Sequence, residues 1–239
     1  MRFTDLTYRE IAALASEGAI AVLPTGCTEQ QGPHLGVGFD SWFAEEVCVA
    51  ASDYVGAPVL VLPALPFGPT PEHRGFGAGF IDLPVGVQEA VVDAALRSLA
   101  DQGFRTIVVW RGCGEHDLWG VVDRFNAARS DARAHLPALP YHEIWCEVAD
   151  PQVPGGHADS FTTSIALHRH PELVRVREIP LGASKQPDWD APQQDFTKVS
   201  TTGVVGDATH ATSALGSRLW DACVASVAAT LEAIARERR

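Results

Sequence analysis

Short apolar runs alternate with longer stretches of helical periodicity along this chain, and this alternation limits the folds open to it. The runs AIAVLP (19–24), PVLVLPAL (58–65) and FRTIVVW (104–110) have the length and branched side chains of buried strands. A further strand is predicted at 139–148, and helices at 40–54, 85–102, 118–132, 161–168 and 212–238. Strands that alternate with helices predict an α/β fold whose mostly parallel sheet is covered on both faces.

The chain shows no internal repeat and no clear linker, so we expect a single domain over residues 1–239. The stretch 182–207 is polar and rich in Pro, Asp and Gln, which predicts a long surface loop within that domain. Loops of this length are often functional. In open α/β sheets, sites form beyond the carboxyl ends of the strands, and polar clusters follow three of the predicted strands.

The formal net charge is −12, and phosphate binding needs clustered positive charge, so the composition argues against a nucleic-acid partner. The N-terminus lacks the apolar core of a secretion signal, and no apolar run approaches the ~20 residues of a membrane helix. The five cysteines are widely spaced and form no CxxC pair, which suits a reducing compartment. We expect a cytoplasmic protein that acts on a small molecule and does not contact a membrane.

The first polar cluster, CTEQQGPHLGVGFD (27–40), follows the strand at 19–24 and offers Glu29, His34 and Asp40. Carboxylates and imidazoles of this kind bind divalent metal ions. The same residues also fit a turn in which Asp40 caps the following helix. The residues alone leave both interpretations open.

The second cluster, WRGCGEHD (110–117), follows the strand at 104–110 and brings four candidate ligands together: Cys113, Glu115, His116 and Asp117. The glycines on either side of Cys113 let the backbone approach another element closely. Acidic residues at a helix N-terminus would explain part of this pattern. Four such groups at a strand end favour a functional site over packing.

The third cluster, GGHADSFTTS (155–164), places His157 after two glycines and before a helix. A histidine in a glycine-rich loop is a candidate acid or base, although a single histidine is more often structural.

Five segments together resemble motifs of the creatininase family of metal-dependent amidohydrolases, in the family's order. LPTGCTEQQGPHLGVGFD (23–40) is similar to LPxGSxEQHGPHLPxxTD, and FGPTPEHRGFGAGFIDL (67–83) contains a segment similar to EHxxFPGTI. VVWRGCGEHD (108–117) lies where the family has NGHGGN or NGHxEN, HADSFTTS (157–164) resembles HAGExETS, and GVVGDATHAT (203–212) resembles GVxGDPxxAT. The resemblance implies a three-layer α/β/α fold with a mostly parallel sheet, assembled as a homo-oligomer, usually a hexamer.

The resemblance also implies a site for two divalent metal ions, bridged by the aspartate that matches Asp40. Glu29 and Glu115 match acidic ligands of the family. Gln31 and Cys113 stand where the family has histidine ligands. A neutral amide binds zinc more weakly than imidazole does, whereas a thiolate is a good ligand for zinc or iron. We therefore expect an altered site in which Glu29, Asp40, Cys113 and Glu115 hold zinc, iron or manganese.

The function expected from this resemblance is hydrolysis of a C–N bond in a small amide, cyclic amide or formamide. The catalytic residues would be Cys113, Glu115 and His157, with His157 as proton donor to the leaving nitrogen. The expected substrate-binding residues are Arg111, which replaces the family's asparagine, together with His34 and His116.

Two alternatives stay open because the ligand positions have changed. In one, the chain binds no metal and works as an isomerase, lyase or transferase through Cys113, His116 and His157. Arg111 would then pair with the carboxylates left without a cation, or favour the Cys113 thiolate. In the other, the chain is a non-catalytic binding protein.

Overall fold

Four short strands form one parallel sheet in the structure, a computed structural model that describes residues 1–114, 116–149, 152–189 and 194–237. The strands are β1 (Ile20–Thr25), β2 (Val59–Val61), β3 (Thr106–Arg111) and β4 (Arg133–His135), in the order β2-β1-β3-β4. Ile20 pairs with Val59 on one side and with Thr106 on the other. Because the strands are parallel, the loops that follow β1 and β3 leave the same edge of the sheet.

Alternate residues of the central strands point to opposite faces, and each face has its own apolar core. Ile20 and Val22 belong to one core, whereas Ala21 and Leu23 belong to the other. Seven α-helices occur among the described residues: α1 (Tyr8–Ser16), α2 (Phe39–Ser52), α3 (Val85–Asp101), α4 (Trp119–Ala128), α5 (Tyr141–Val148), α6 (Ser160–Arg169) and α7 (Ser213–Arg236). Residues of α2, α5, α6 and α7 fill the first core, and residues of α1, α3 and α4 fill the second. The predicted sheet with helices on both faces is confirmed.

The helix ends follow the local sequence. Thr212 precedes α7, and its side chain accepts a hydrogen bond from the backbone N–H of Leu215, the usual N-terminal cap. Gly103, two residues after α3, has a φ of 99°, a conformation that glycine adopts without the penalty of a side chain. The predicted helix at 85–102 therefore ends within one residue of its expected position.

The strand predicted at 139–148 is wrong, because this segment forms the helix α5. Its apolar residues Tyr141, Ile144, Trp145 and Val148 recur with a spacing of three and four, which places them on one side of a helix. All four pack in the core that covers the first face of the sheet. The last strand of the sheet is instead the short β4, a segment for which no strand was predicted. The third polar cluster therefore follows a helix.

None of the helices in the described part of the chain is long and apolar enough to cross a membrane.

Candidate active site

A cavity of about 750 Å³ opens where β1 and β3 end, at the edge of the sheet where α/β proteins place their sites. Its lining includes Glu29 and Asp40 from the loop after β1, Cys113 from the turn after β3, and His157 from the loop before α6. The three polar clusters of the sequence thus meet at one cavity, although the third arrives from a helical segment.

Glu29 and Asp40 form a buried carboxylate pair bridged by an amide. Gln31 Nε2 donates to Asp40 Oδ2 at 2.8 Å and to Glu29 Oε1 at 3.3 Å. Asp40 is the second residue of α2, whose N-terminal cap is Gly38, and no side chain caps that end. The capping interpretation of Asp40 is therefore wrong, and its carboxylate faces the cavity.

The two carboxyl groups differ in protonation. Burial acts to raise the pKa of Glu29, but contacts with His73 and His157 outweigh it and hold that pKa at about 2. Burial and the neighbouring charge of Glu29 raise the pKa of Asp40 well above its usual range. Two anions this close cannot both ionise without a compensating cation, so Glu29 takes the charge and Asp40 keeps the proton.

Cys27 lies beside this carboxylate pair. It was not among the residues predicted for the site. Its thiol donates to Glu29 Oε2 at 3.0 Å and contacts Asp40 Oδ2 at 3.4 Å. Burial raises the pKa of the Cys27 thiol. The residue occupies the serine position of the family motif, and this substitution was the signal in the sequence that marked it.

His73 is a second addition to the expected set, from the segment similar to EHxxFPGTI. Its Nε2 lies 3.4 Å from Glu29 Oε2 and 3.3 Å from Glu72 Oε1. Burial disfavours the charged imidazole, but the two carboxylates outweigh it and raise the pKa of His73 to about 9. His73 thus supplies positive charge next to Glu29.

His157 has a fixed tautomer. Its Nε2 lies 2.6 Å from the backbone oxygen of Gln30, which only accepts, so Nε2 carries the proton. Nδ1 lies 3.3 Å from Glu29 Oε1 and keeps its lone pair in the neutral ring. Burial lowers the pKa of His157 to about 4. The backbone of His157 pairs with Val205, and the next residue, Ala158, has a φ of 52°, which is unusual for alanine.

The three expected substrate-binding residues lie outside the lining of this cavity. His34 is buried and its Nε2 pairs with Thr163 Oγ1 at 2.8 Å. His116 is buried against Pro69, and Arg111 donates from Nη1 to the backbone oxygen of His116 at 3.1 Å. Arg111 forms no ion pair with Glu29 or Asp40 among the residues the structure describes. Glu115 lies outside the described residues.

Three groups of buried side chains can hold a metal ion, each with ligand atoms within 4.8 Å of one another. They are Cys27 with Glu29 and Asp40, Cys27 with Cys113 and His116, and Glu29 with His73 and His157. Gln31 Oε1 is buried without a hydrogen-bond partner among the described residues, while Nε2 of the same amide faces the two carboxylates. The donor types fit a divalent ion at the carboxylate pair, and Oε1 could join them if the amide turned.

Aromatic side chains form an apolar part of the cavity lining, called here the aromatic wall. Its members include Phe43, Tyr141, Trp145, Phe161 and Trp189. Phe161 packs against both Tyr141 and Trp145, with ring centroids 5.9 and 6.4 Å apart. None of the described residues that line the cavity is Lys or Arg. The charged His73 also lines the cavity, but it already pairs with Glu29 and Glu72. The cavity therefore offers a substrate anion apolar and acidic surface, and no unpaired cationic side chain among the described residues.

The sequence profile of the Creatininase family, described as creatinine amidohydrolase, matches residues 4–231. The chain belongs to this family. It is 26% identical to the creatinine amidohydrolase of Pseudomonas putida, a match that covers 94% of this chain and 93% of that protein. It is 31% identical to the mycofactocin precursor peptide peptidase of Mycobacterium tuberculosis, covering 90% and 87%. A solved structure titled creatininase Mn aligns with a TM-score of 0.83 at 22% identity, covering 96% of each chain.

These matches confirm the family and the fold expected from the sequence, and they make this creatininase-family chain an amide-bond hydrolase at the level of the family. The named relatives are an amidohydrolase and a peptidase, so the family alone does not select between a small cyclic substrate and a peptide. The residues that line the cavity are the remaining evidence for one of these two substrate classes.

Proposed function

We propose that this protein hydrolyses an amide bond in the cavity at the ends of β1 and β3, with His157 as the group that moves the proton. The observation that supports this most directly is the neutral, buried imidazole of His157, whose Nδ1 lone pair faces the Glu29 carboxylate. A base of fixed tautomer beside a candidate metal position is the arrangement that amide hydrolysis needs.

The proposed metal ligands in this cavity are Glu29 and Asp40, with Cys27 beside them and Glu115 as a further ligand predicted from the motif. Cys113, predicted to bind the same ion, groups with Cys27 and His116 instead. A divalent ion held there would polarise the amide carbonyl and lower the pKa of a water molecule. Gln31 would contribute through Oε1 after its amide turns, because at present Nε2 faces both carboxylates.

His157 then acts twice. Nδ1 takes a proton from the attacking water and returns it to the nitrogen that leaves, so the amine departs neutral. The hydrogen bond from Nε2 to the Gln30 backbone holds the ring in place during both transfers. His73 stabilises the negative charge of Glu29 throughout.

The cavity favours a substrate larger than creatinine and without negative charge. A volume of about 750 Å³ lies in the range of sites for drug-sized ligands. Aromatic side chains form its wall, and Glu72 and Asp159 add acidic surface without a neighbouring Lys or Arg among the described lining residues. A substrate carboxylate would be desolvated there without a free cationic side chain as its partner, because His73 already pairs with Glu29 and Glu72, and this desolvation is costly. We therefore propose an acyl or peptide amide that carries a bulky apolar group.

A matched pair of amides tests this substrate class. N-acetyl-phenylalanine methylamide and N-acetyl-aspartate methylamide share the scissile bond and differ in the side chain. We expect kcat/KM for the phenylalanine compound to exceed that for the aspartate compound and for creatinine at least about tenfold, because the aspartate charge meets no unpaired cationic side chain. Equal rates for the two amides, or creatinine as the best substrate, would contradict the proposal.

Phe161→Ala provides the structural control for that comparison. Loss of this wall residue is expected to lower kcat/KM for the phenylalanine compound about tenfold, since it removes apolar contact area. Phe67→Ala changes an exposed phenylalanine that does not line the cavity. This variant should keep the wild-type ratio of kcat/KM for the phenylalanine amide to kcat/KM for the aspartate amide.

The metal-independent alternative with Cys113 as nucleophile receives less support. Burial lowers the pKa of His116, so this ring is neutral near pH 7 and adds no positive charge that would favour a Cys113 thiolate. The homo-oligomeric assembly, the cytoplasmic location and the single domain stay predictions, and light scattering of the purified protein tests the first of them.

A further inference from the structure

Two cysteines and a histidine form a compact buried group next to the carboxylate pair. The ligand atoms of Cys27, Cys113 and His116 all lie within 4.8 Å of one another, and each side chain is buried. Cys27 follows β1, while Cys113 and His116 follow β3, so the parallel pairing of these two strands brings the three residues together. None of the five cysteines forms a disulfide bond within the described part of the chain.

We propose that Cys27, Cys113 and His116 form a separate, sulfur-rich binding site for a zinc ion. Two sulfur donors and one imidazole match zinc coordination, with one position left for water or a further ligand. Thiolates select zinc and related soft ions, whereas the oxygen atoms of Glu29 and Asp40 next to them suit harder ions such as manganese. Neither Cys27 nor His116 stands at a position that the family motif assigns to a ligand.

The surroundings of His116 are those of a metal-binding imidazole. Its Nε2 lies 3.2 Å from the backbone oxygen of Pro69, so Nε2 carries the proton and Nδ1 keeps the lone pair. A metal-bound histidine usually donates its other N–H to such an oxygen, which fixes the ring. The Nδ1 atom is 3.1 Å from Gln88 Nε2, and that amide must turn away when an ion binds. Arg111 donates to the backbone oxygen of His116 and steadies the turn.

Cys27 connects this group to the carboxylates. Its sulfur also lies within 4.8 Å of ligand atoms of Glu29 and Asp40, and its thiol proton is shared with Glu29 at 3.0 Å. Zinc binding replaces that proton, which passes to the carboxylates or to solvent. Cys27 is thus the one residue common to the oxygen-rich and the sulfur-rich groups among the described residues.

The test counts sulfur atoms around zinc. The full-length protein is stripped with chelator, loaded with one equivalent of zinc under a non-thiol reductant, and measured by X-ray absorption. We expect two sulfur neighbours at about 2.3 Å in the wild type and one in Cys27→Ser and in Cys113→Ser. Cys146→Ser is the matched control: this cysteine lines the cavity and contacts His142, but lies outside the group. It should keep two sulfur neighbours.

Competition with a chromogenic chelator tests the imidazole. His116→Gln should weaken zinc binding by more than about tenfold. Mutation of a residue that only hydrogen-bonds to a metal ligand already lowers metal affinity by that much. Circular dichroism checks that each variant is folded, and Cys27→Ala serves if Cys27→Ser is not. Absence of bound zinc in the wild type overturns the proposal. A single sulfur neighbour in the wild type, or two that survive in the folded Cys27 variant, overturns it too, since Cys27 would then not bind the ion.

This result is independent of amide turnover, which is assayed separately on the phenylalanine and aspartate amides. Two sulfur neighbours in a protein that hydrolyses neither amide would support the zinc site and contradict the proposed substrate class. Turnover in a protein whose zinc has no sulfur neighbour would do the reverse.

Discussion

The imidazole of His157 donates from Nε2 to the backbone oxygen of Gln30 at 2.6 Å. The partner is a backbone atom, so no side-chain substitution at residue 30 removes the acceptor. The bond leaves Nδ1 as the atom that faces Glu29, at 3.3 Å. This contact joins the first polar cluster of the sequence to the third, across a separation of 127 residues.

His157→Gln should lower kcat for the phenylalanine amide by about 10²–10⁴-fold, the usual contribution of a positioned acid or base. KM should change much less, because the imidazole acts on the reacting atoms. The measurement is steady-state kinetics of the folded variant. His142→Gln is the control, since His142 also lines the cavity and contacts Cys146 rather than Glu29. A His157→Gln enzyme with more than a tenth of the wild-type kcat would exclude this role.

Gln31→His should strengthen manganese binding at the carboxylate pair at least about tenfold, because imidazole is a better ligand than an amide. The change restores the residue of the family motif next to Glu29 and Asp40. Isothermal titration of the chelator-stripped protein measures the affinity, with Gln31→Asn as a control that keeps an amide. The double change with Cys113→His should restore two ions per chain. If the double variant gains no affinity over wild type, the loop geometry has closed the site.

Gly112→Ala should lower the free energy of unfolding by about 2 kcal/mol, as overpacking of a tight contact does. A Cβ at this position would overlap the backbone oxygen of Asp40. The close approach also permits the hydrogen bond from Gly112 N to Thr25 O at 2.6 Å. Gly114→Ala, two residues away, meets no described atom within 4 Å and should change the free energy by less than about 0.5 kcal/mol. Urea unfolding of the two variants decides the point, and equal losses would contradict it.

His34 should make the protein sensitive to acid. Burial, with a smaller effect of His157, lowers the pKa of His34 from 6.5 to about 4 in the folded chain. The contribution of His34 to the free energy of unfolding is therefore complete above pH 6.5. It is lost as the pH falls from 6.5 towards 4, a loss on the order of 3 kcal/mol or less. His34→Gln should flatten the loss of unfolding free energy over this range, measured as urea midpoints from pH 7.5 to 4.5.

His170 provides a contrast of opposite sign. It is partly exposed, and burial disfavours its charged form, but hydrogen bonds to Glu46 and Glu172 outweigh burial and raise its pKa. The contribution of His170 to the free energy of unfolding is complete below the ordinary pKa of histidine. It is lost as the pH rises through the raised pKa of the folded protein. His170→Gln should therefore leave the acid side of the stability profile unchanged. If both variants respond alike, the effect at His34 is not due to its own titration.

The amino-acid sequence determined the parallel sheet, the edge at which the site forms and the family, because each depends on local periodicity or on a short motif. The runs at 19–24 and 104–110 became neighbouring strands, and the loops after them supplied Glu29, Asp40 and Cys113. The strand predicted at 139–148 was wrong, since its aromatic composition suits a strand while its apolar spacing suits the helix that packs in the core.

Only the tertiary structure decided which side chains meet and in which protonation state. His73 contacts Glu29 although the two residues are more than forty positions apart in the sequence. Cys27, which no sequence pattern marked as a ligand, belongs to two candidate metal groups. Burial opposes the low pKa of Glu29, which follows from its contacts with His73 and His157, whereas burial and the charge of Glu29 raise the pKa of Asp40. The spacing along the chain encodes none of these contacts. Periodicity fixes the elements, whereas contacts between residues distant in sequence fix the chemistry.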